Sequence, residues 1–255
     1  MALGEAVRGR QVRAFARVPL APGAVTPSPS GPNLQRSDEV RAAIQRARET
    51  VGGLRVTLVL PDGIARVALV EVPAEVEPQD YVRFRFATSL PWPAAEAIVE
   101  VLPAGGGRVV GAAVRRATVV QYEQVATASG LEVESVHLAP LLALERLIRS
   151  GARDAVHVVL SDVALCLAVF HGGALVALHN RRRDPSPVEA SWLRAEAARA
   201  GSVAGNGAGS PLVVSGAGAL RLRRDAGVEG AGRGLEGPRE WPEAVEAAWL
   251  GALLS

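Results

Sequence analysis

The residues of this 255-residue sequence whose types could do chemistry are few and scattered. Four histidines stand at 137, 157, 171 and 179, and the single cysteine, Cys166, lies in an apolar run. No Cys/His spacing suits a tetrahedral metal site, so no metal is expected. There is no nucleophile elbow and no Walker A sequence. Asp154 and His157 are loop-to-strand neighbours, and the histidines read as core or strand-end side chains. Cys166 reads as a small core residue, and a lone cysteine excludes an intramolecular disulfide. Arg181-Arg182-Arg183 closes a strand, and such a run reads first as a solvated end and second as an anion contact. The stretch that could bind is Val82-Arg-Phe-Arg-Phe-Ala-Thr-Ser-Leu-Pro-Trp-Pro93. Phe86 and Leu90, four residues apart, share one helix face. Two prolines hold Trp92 rigid, so a half-exposed indole would lose little entropy when a partner covers it. Arg83 and Arg85 could pair with a carboxylate beside that apolar anchor. Arg83, Arg85, Phe86, Leu90 and Trp92 are therefore the candidate partner-binding residues, with packing onto a sheet the competing reading for the apolar three.

The elements that must position these residues follow from pattern. Residues 3–18 read as a hairpin, and 21–32 as a loop rich in Pro, Ser and Gly. A helix starts near Ser37, with Asp38 and Glu39 in its first turn. Its buried face is Val40, Ala43, Ile44, Ala47 and Val51, and Gly52-Gly53 ends it. An apolar strand, Leu54 to Leu60, closes on Pro61-Asp62-Gly63. Then come a strand Ile64–Val72, a helix Gln79–Leu90, strands Ala97–Leu102 and Arg108–Val114, a helix Arg116–Ser129 and a strand Leu131–Leu138. That order is β-α-β-β-α-β, the ferredoxin-like arrangement, which predicts a four-stranded antiparallel sheet with both helices on one face. A helix from Pro140 to Ser150, a strand Ala155–Leu160 and a hairpin of Val163–Phe170 with Ala174–Asn180 follow. Ser186-Pro187-Val188-Glu189 is a capping box that opens a helix to about Ala200. Pro211–Ser215 reads as a short strand before Gly216-Ala-Gly218, and a last helix begins near Pro242.

Composition narrows the classes. Apolar residues make up 49%, ample for a core, and no apolar run approaches the roughly 20 residues that span a bilayer. The first residues hold no signal-peptide apolar region, so a cytoplasmic protein is expected. Every basic residue is arginine, acids are interspersed, and the net charge is only +2. The ten aromatics form no RNA-stacking pattern, and no nucleic-acid partner is expected.

Three segments carry a family resemblance: Val59-Leu60-Pro61-Asp62-Gly63, the Val82–Pro93 stretch with its Leu-Pro-Trp-Pro turn, and Ala128-Ser-Gly-Leu131 before a strand. In this order they resemble the actin-like PilM family of type IV pilus biogenesis and the related cytoplasmic domain of GspL in type II secretion. The similarity spans about residues 5–180. It implies an α/β, actin-like (ribonuclease H-like) fold with an inserted ferredoxin-like βαββαβ subdomain and a truncated second domain. The division expected is 1–63, 64–138 and 139–255.

Actin-like ATPases hold phosphate on Asp-x-Gly turns, where glycine lets backbone N–H groups approach the ligand. Here no Asp-x-Gly precedes Gly9, and the sequence opens at about the strand after the family's first turn. The second turn reads Leu160-Ser161-Asp162-Val163, without glycine, and an adenosine-side turn would be Ser215-Gly216-Ala217-Gly218. Asp162, Gly216 and Gly218 are thus vestigial nucleotide candidates. No cofactor, no catalytic residue and no ATP turnover are expected. The resemblance implies a scaffold of the assembly platform that binds the cytoplasmic tail of a bitopic inner-membrane protein, PilN-like or GspM-like, and an assembly ATPase. The groove would lie between the end of the Leu54–Leu60 strand, the helix ending at Leu90 and the Pro91-Trp92-Pro93 turn. Two other readings stand beside it: an active actin-like ATPase whose start lies upstream, and an unrelated α/β interaction domain.

Overall fold

The computed structural model describes residues 2–7, 11–61, 63–149, 151, 154–161, 164–182, 188–203, 211–216 and 229–230. The chain enters as a hairpin of β1 (Ala2–Val7) and β2 (Gln11–Arg17), paired antiparallel. Helix α1 (Ser37–Val51) buries the apolar face that its spacing dictates, Val40, Ala43, Ile44, Ala47 and Val51. Strand β3 (Arg55–Leu60) follows. Next come β4 (Ala65–Glu71), α2 (Pro78–Ala87), β5 (Ala97–Gly105), β6 (Arg108–Arg115), α3 (Arg116–Ala128) and β7 (Glu132–Leu138). The expected element order from Ile64 to Leu138 is present, but the expected sheet is not.

Strands β4, β6 and β5 form a three-stranded antiparallel sheet in that spatial order. The fourth strand, β7, leaves it and pairs in parallel with β3, setting Leu138 beside Leu60. The helices part as well. Helix α2 covers the outer face of the three-stranded sheet, where Val82 and Phe86 pack on Val70, Val99, Val109 and Ala113. Helix α3 turns the other way, and its Val125 and Ala126 meet Val40 and Ile44 of α1. Burial decides the partner of β7. Beside β3, Leu138 enters the core that holds Leu60 and Ile64. Parallel strands need a long crossover, and here the whole three-stranded unit is that crossover.

Strand β6 is buried on both faces. Gly111 sits directly under α2, where a Cβ would lie 2.6 Å from Val82 Cγ1. The alternate residues, Val110, Ala112 and Val114, point into the opposite core with Phe170 and Leu175. That second core joins the three-stranded sheet to the remainder of the chain.

The remainder begins with α4 (Ala139–Arg149), one residue earlier at each end than the expected Pro140–Ser150. Strands β8 (Ala155–Leu160), β9 (Ala164–His171), β10 (Ala174–Arg182), β11 (Leu212–Gly216) and β12 (Glu229–Gly230) make a five-stranded mixed sheet in the order β10-β9-β8-β11-β12. The middle strands are continuous apolar runs, as a sheet covered on both faces requires. One cover is α5 (Ala190–Val203), whose Leu193, Ala197 and Ala200 lie on Val156, Val158, Leu167 and Val169. The capping residues Ser186 and Pro187 and the helix expected near Pro242 lie outside the described residues.

Candidate functional site

Of the vestigial nucleotide residues, Gly216 falls at one end of the five-stranded sheet. The register sets Leu160 against Leu165 on β9 and against Gly216 on β11, and Ala164 against Arg182 on β10. The β8–β9 turn, Gly216 and the arginine run therefore share an edge, the carboxyl end of parallel β8 and β11. Asp162 and Gly218 lie outside the described residues. At the ends of β8 and β9, Ser161 N–H donates to Ala164 O at 3.0 Å, and Ala164 N–H donates to Ser161 Oγ at 3.0 Å. Two backbone donors at this place are thereby engaged within the turn.

The described part of the arginine run, Arg181 and Arg182, is exposed, as the sequence suggests for a strand end, yet both side chains are engaged. Arg181 and Arg199 both hold the carboxylate of Glu196, which is buried under the sheet. Arg182 donates to two backbone carbonyls across the chain, Pro27 O and Gly63 O, the latter at 3.1 Å. It thereby ties the exit of β10 to the turn after β3.

The proposed partner surface on α2 is largely inward. Trp92 is 6% exposed and Phe86 is 4% exposed, so neither can be the half-exposed anchor expected of them. Leu90 packs beside Phe86, and the guanidinium of Arg66 stands 5.9 Å over the Phe86 ring. The prolines fix the Trp92 turn but do not set which way the ring faces. Arg83 is also occupied, donating to Ala97 O, while Gln79 Nε2 donates to Val99 O at 2.5 Å. These two side chains cap the outer carbonyls of β5, an edge strand otherwise open to strand addition. Arg85 stays exposed, next to Phe84, which is 75% exposed.

A groove does exist at the end of β3, but with other walls. It is an apolar cleft of about 350 Å³ between β5, the ends of β3 and β7, and the start of α4. Ile98, Leu102, Leu60, Leu138 and Leu141 line it, with Ala112 and Val114 of β6 at its floor. None of α2 or the Trp92 turn reaches it. Three polar side chains do: Glu100, His137 and Glu145. Glu145 Oε1 accepts from Arg149 at 2.7 Å. Sequence reasoning passed over Glu100 as one polar residue in an apolar run. The available signal was that both rows of β5 are apolar, Ala97-Val99-Val101 and Ile98-Leu102, so a glutamate between Ile98 and Leu102 breaks an otherwise apolar row. Among the described residues no group of three His, Cys, Asp or Glu side chains could hold a metal, and no helix is long and apolar enough to cross a membrane.

Folded comparisons give the class first: the chain has an actin-like α/β fold. More particularly, it shares the fold of a PilM structure solved in a PilM–PilN type IV pilus biogenesis complex, with a TM-score of 0.69 and 16% identity over 99% of this chain and 93% of that one. It also shares the fold of the cytoplasmic domain of EpsL, an inner-membrane component of the Vibrio cholerae type II secretion system. There the TM-score is 0.52, with 14% identity over 81% of this chain and 72% of that one. No family model and no curated protein sequence matches the chain. The resemblance drawn from the sequence therefore holds at the level of the fold.

Proposed function

We propose that this protein is a nucleotide-independent scaffold in the assembly platform of a type IV pilus or type II secretion-like machine, and that its cleft binds the cytoplasmic tail of a bitopic inner-membrane partner, PilN-like or GspM-like. On this reading the protein is cytoplasmic and peripheral to the membrane, with an assembly ATPase as a second partner. The observation that carries it is the apolar cleft between the three-stranded sheet and the β3–β7 pair, whose depth and lining suit a short extended peptide. Support for nucleotide independence comes from the β8–β9 turn, whose donors bond within the turn itself.

A photo-crosslinking residue tests the site. Placed at Leu102, inside the cleft, it should capture a PilN-like or GspM-like cytoplasmic tail. Placed at Phe84, on the outer face of α2, it should not. Capture from position 84 alone would put the tail elsewhere and sink the reading. Calorimetry with Mg-ATP tests the other half. No binding is expected, and a dissociation constant in the low micromolar range, about −8 kcal/mol, would favour the ATPase alternative.

A further inference from the structure

We infer that the cleft selects a peptide carrying an arginine or lysine next to its apolar residues, and that Glu100 and Glu145 read that cation. The inference rests on the tail-binding reading above and names the chemistry of the tail.

Glu100 is the starting point. It stands opposite Ala112 in the β5–β6 register, in the row that continues as Ile98 and Leu102. Those two neighbours line the cleft as well and pack into the central core, so the carboxylate is the one polar position of the row on the cleft. Two other glutamates beside the strands are matched, Glu96 by Arg115 at 2.7 Å and Glu134 by Arg55 at 2.8 Å. Among the described residues no cation pairs with Glu100. The second carboxylate comes from α4. Arg149 binds only one oxygen of Glu145, which lines the same cleft. No arginine lines the cleft, so two carboxylates share an apolar pocket whose remaining titratable side chain is His137. Such a site disfavours a neutral peptide no more than any apolar groove does. It rewards a peptide whose cation reaches both carboxylates, because a charge-assisted hydrogen bond is stronger than a neutral one.

The edge of β5 sharpens the point. With Ala97 O and Val99 O taken by Arg83 and Gln79, a tail cannot pair along that stretch as an added strand. Recognition then falls to side chains, the apolar ones on Leu102 and Leu141 and the cationic one on the carboxylates.

A phage library of random twelve-residue peptides, panned on the full-length protein and on the E100Q/E145Q double variant, decides it. Glu100 is exposed and Gln keeps its shape, and circular dichroism checks that the variant folds. The wild type should enrich peptides with Arg or Lys beside apolar residues, and the variant should lose that enrichment. A selected peptide, made synthetically, should bind about tenfold more weakly when its Arg is replaced by citrulline, and the double variant should bind both forms alike. Equal cation content in both selections, with peptides that still crosslink from Leu102, overturns the inference and leaves the tail-binding reading standing. Failure to select any peptide that crosslinks from Leu102 overturns both.

Discussion

The chain builds a similar succession twice, with different results. In the second half a hairpin, a helix and a strand, β9-β10-α5-β11, surround a central strand, β8. In the first half the succession β1-β2-α1-β3 recurs, yet the described residues give two separate pairs, β1–β2 and β3–β7. In the second half β8 bonds to β9 on one side and β11 on the other. No described strand holds that place between β2 or β1 and β3. The second half is therefore knitted by backbone ladders, and the first by a helix and a loop. Val40 and Ile44 of α1 reach α3 and Leu131, and Arg48 donates to Ser129 O at 2.6 Å at the end of α3. The loop after β2 is fixed by Asn33, fully buried, whose amide donates to Ser28 O and Gly31 O and whose Oδ1 accepts from Ser28 N–H. The lesson is chemical as well as mechanical. A turn out of a central strand is where an actin-like protein would cradle phosphate, and among the described residues that strand is seen in the second half, as β8.

If ladders hold one half and a loop the other, truncations should scale accordingly. The largest effect is expected for Phe170→Ala on β9, buried and edge-on to His157 with centroids 5.2 Å apart. It should cost about 3–5 kcal/mol in denaturant unfolding. Asn33→Ala should cost about 1–3 kcal/mol, the range for leaving buried partners unsatisfied. It should also increase proteolysis of residues 21–36. If Asn33→Ala costs as much as Phe170→Ala, the loop is part of one indivisible core and the contrast between the halves fails. The smallest effect concerns Tyr122, which stands behind that loop and whose hydroxyl is 3.5 Å from Asn33 Oδ1. Burial raises its pKa to about 12 from 10.0. The folded state thus holds the neutral phenol where the unfolded chain would ionise. Its contribution should be constant below pH about 10 and should fall as the pH rises from about 10 to about 12. Tyr122→Phe should flatten that decline, and an unchanged slope would show that the phenol is not shielded.

Much of the fold is legible because periodicity is local. The face of α1 and the bounds of β8 follow from spacing, since a helix or buried strand writes its pattern in consecutive residues. The partner of β7 is not local. Strand order alone cannot distinguish a fourth strand beside β4 from a parallel mate for β3, and the choice rests on where Leu138 is buried. The site fails for a similar reason. A rigid, proline-flanked Trp92 reads as an anchor, but rigidity carries no direction, and the ring turned inward. Its Nε1 finds no hydrogen-bond partner among the described residues, a polar group left dry by packing. Glu100 was visible as an exception inside a doubly apolar strand, though only the cleft gives the exception a meaning.

The central core has a consequence for how force would travel. It takes side chains from β3, β4, β6, β7, α4, β9 and β10 together, so both halves and the three-stranded sheet share one apolar seam. An actin-like enzyme works as a hinged jaw, opening and closing on its ligand. A jaw whose hinge line is filled with Val110, Leu144, Phe170 and Leu175 cannot gape without exposing them to water. A tug on a peptide seated beside Leu60 and Leu138 would pass straight into the five-stranded sheet, as through a rigid bracket bolted between a moving part and its mount.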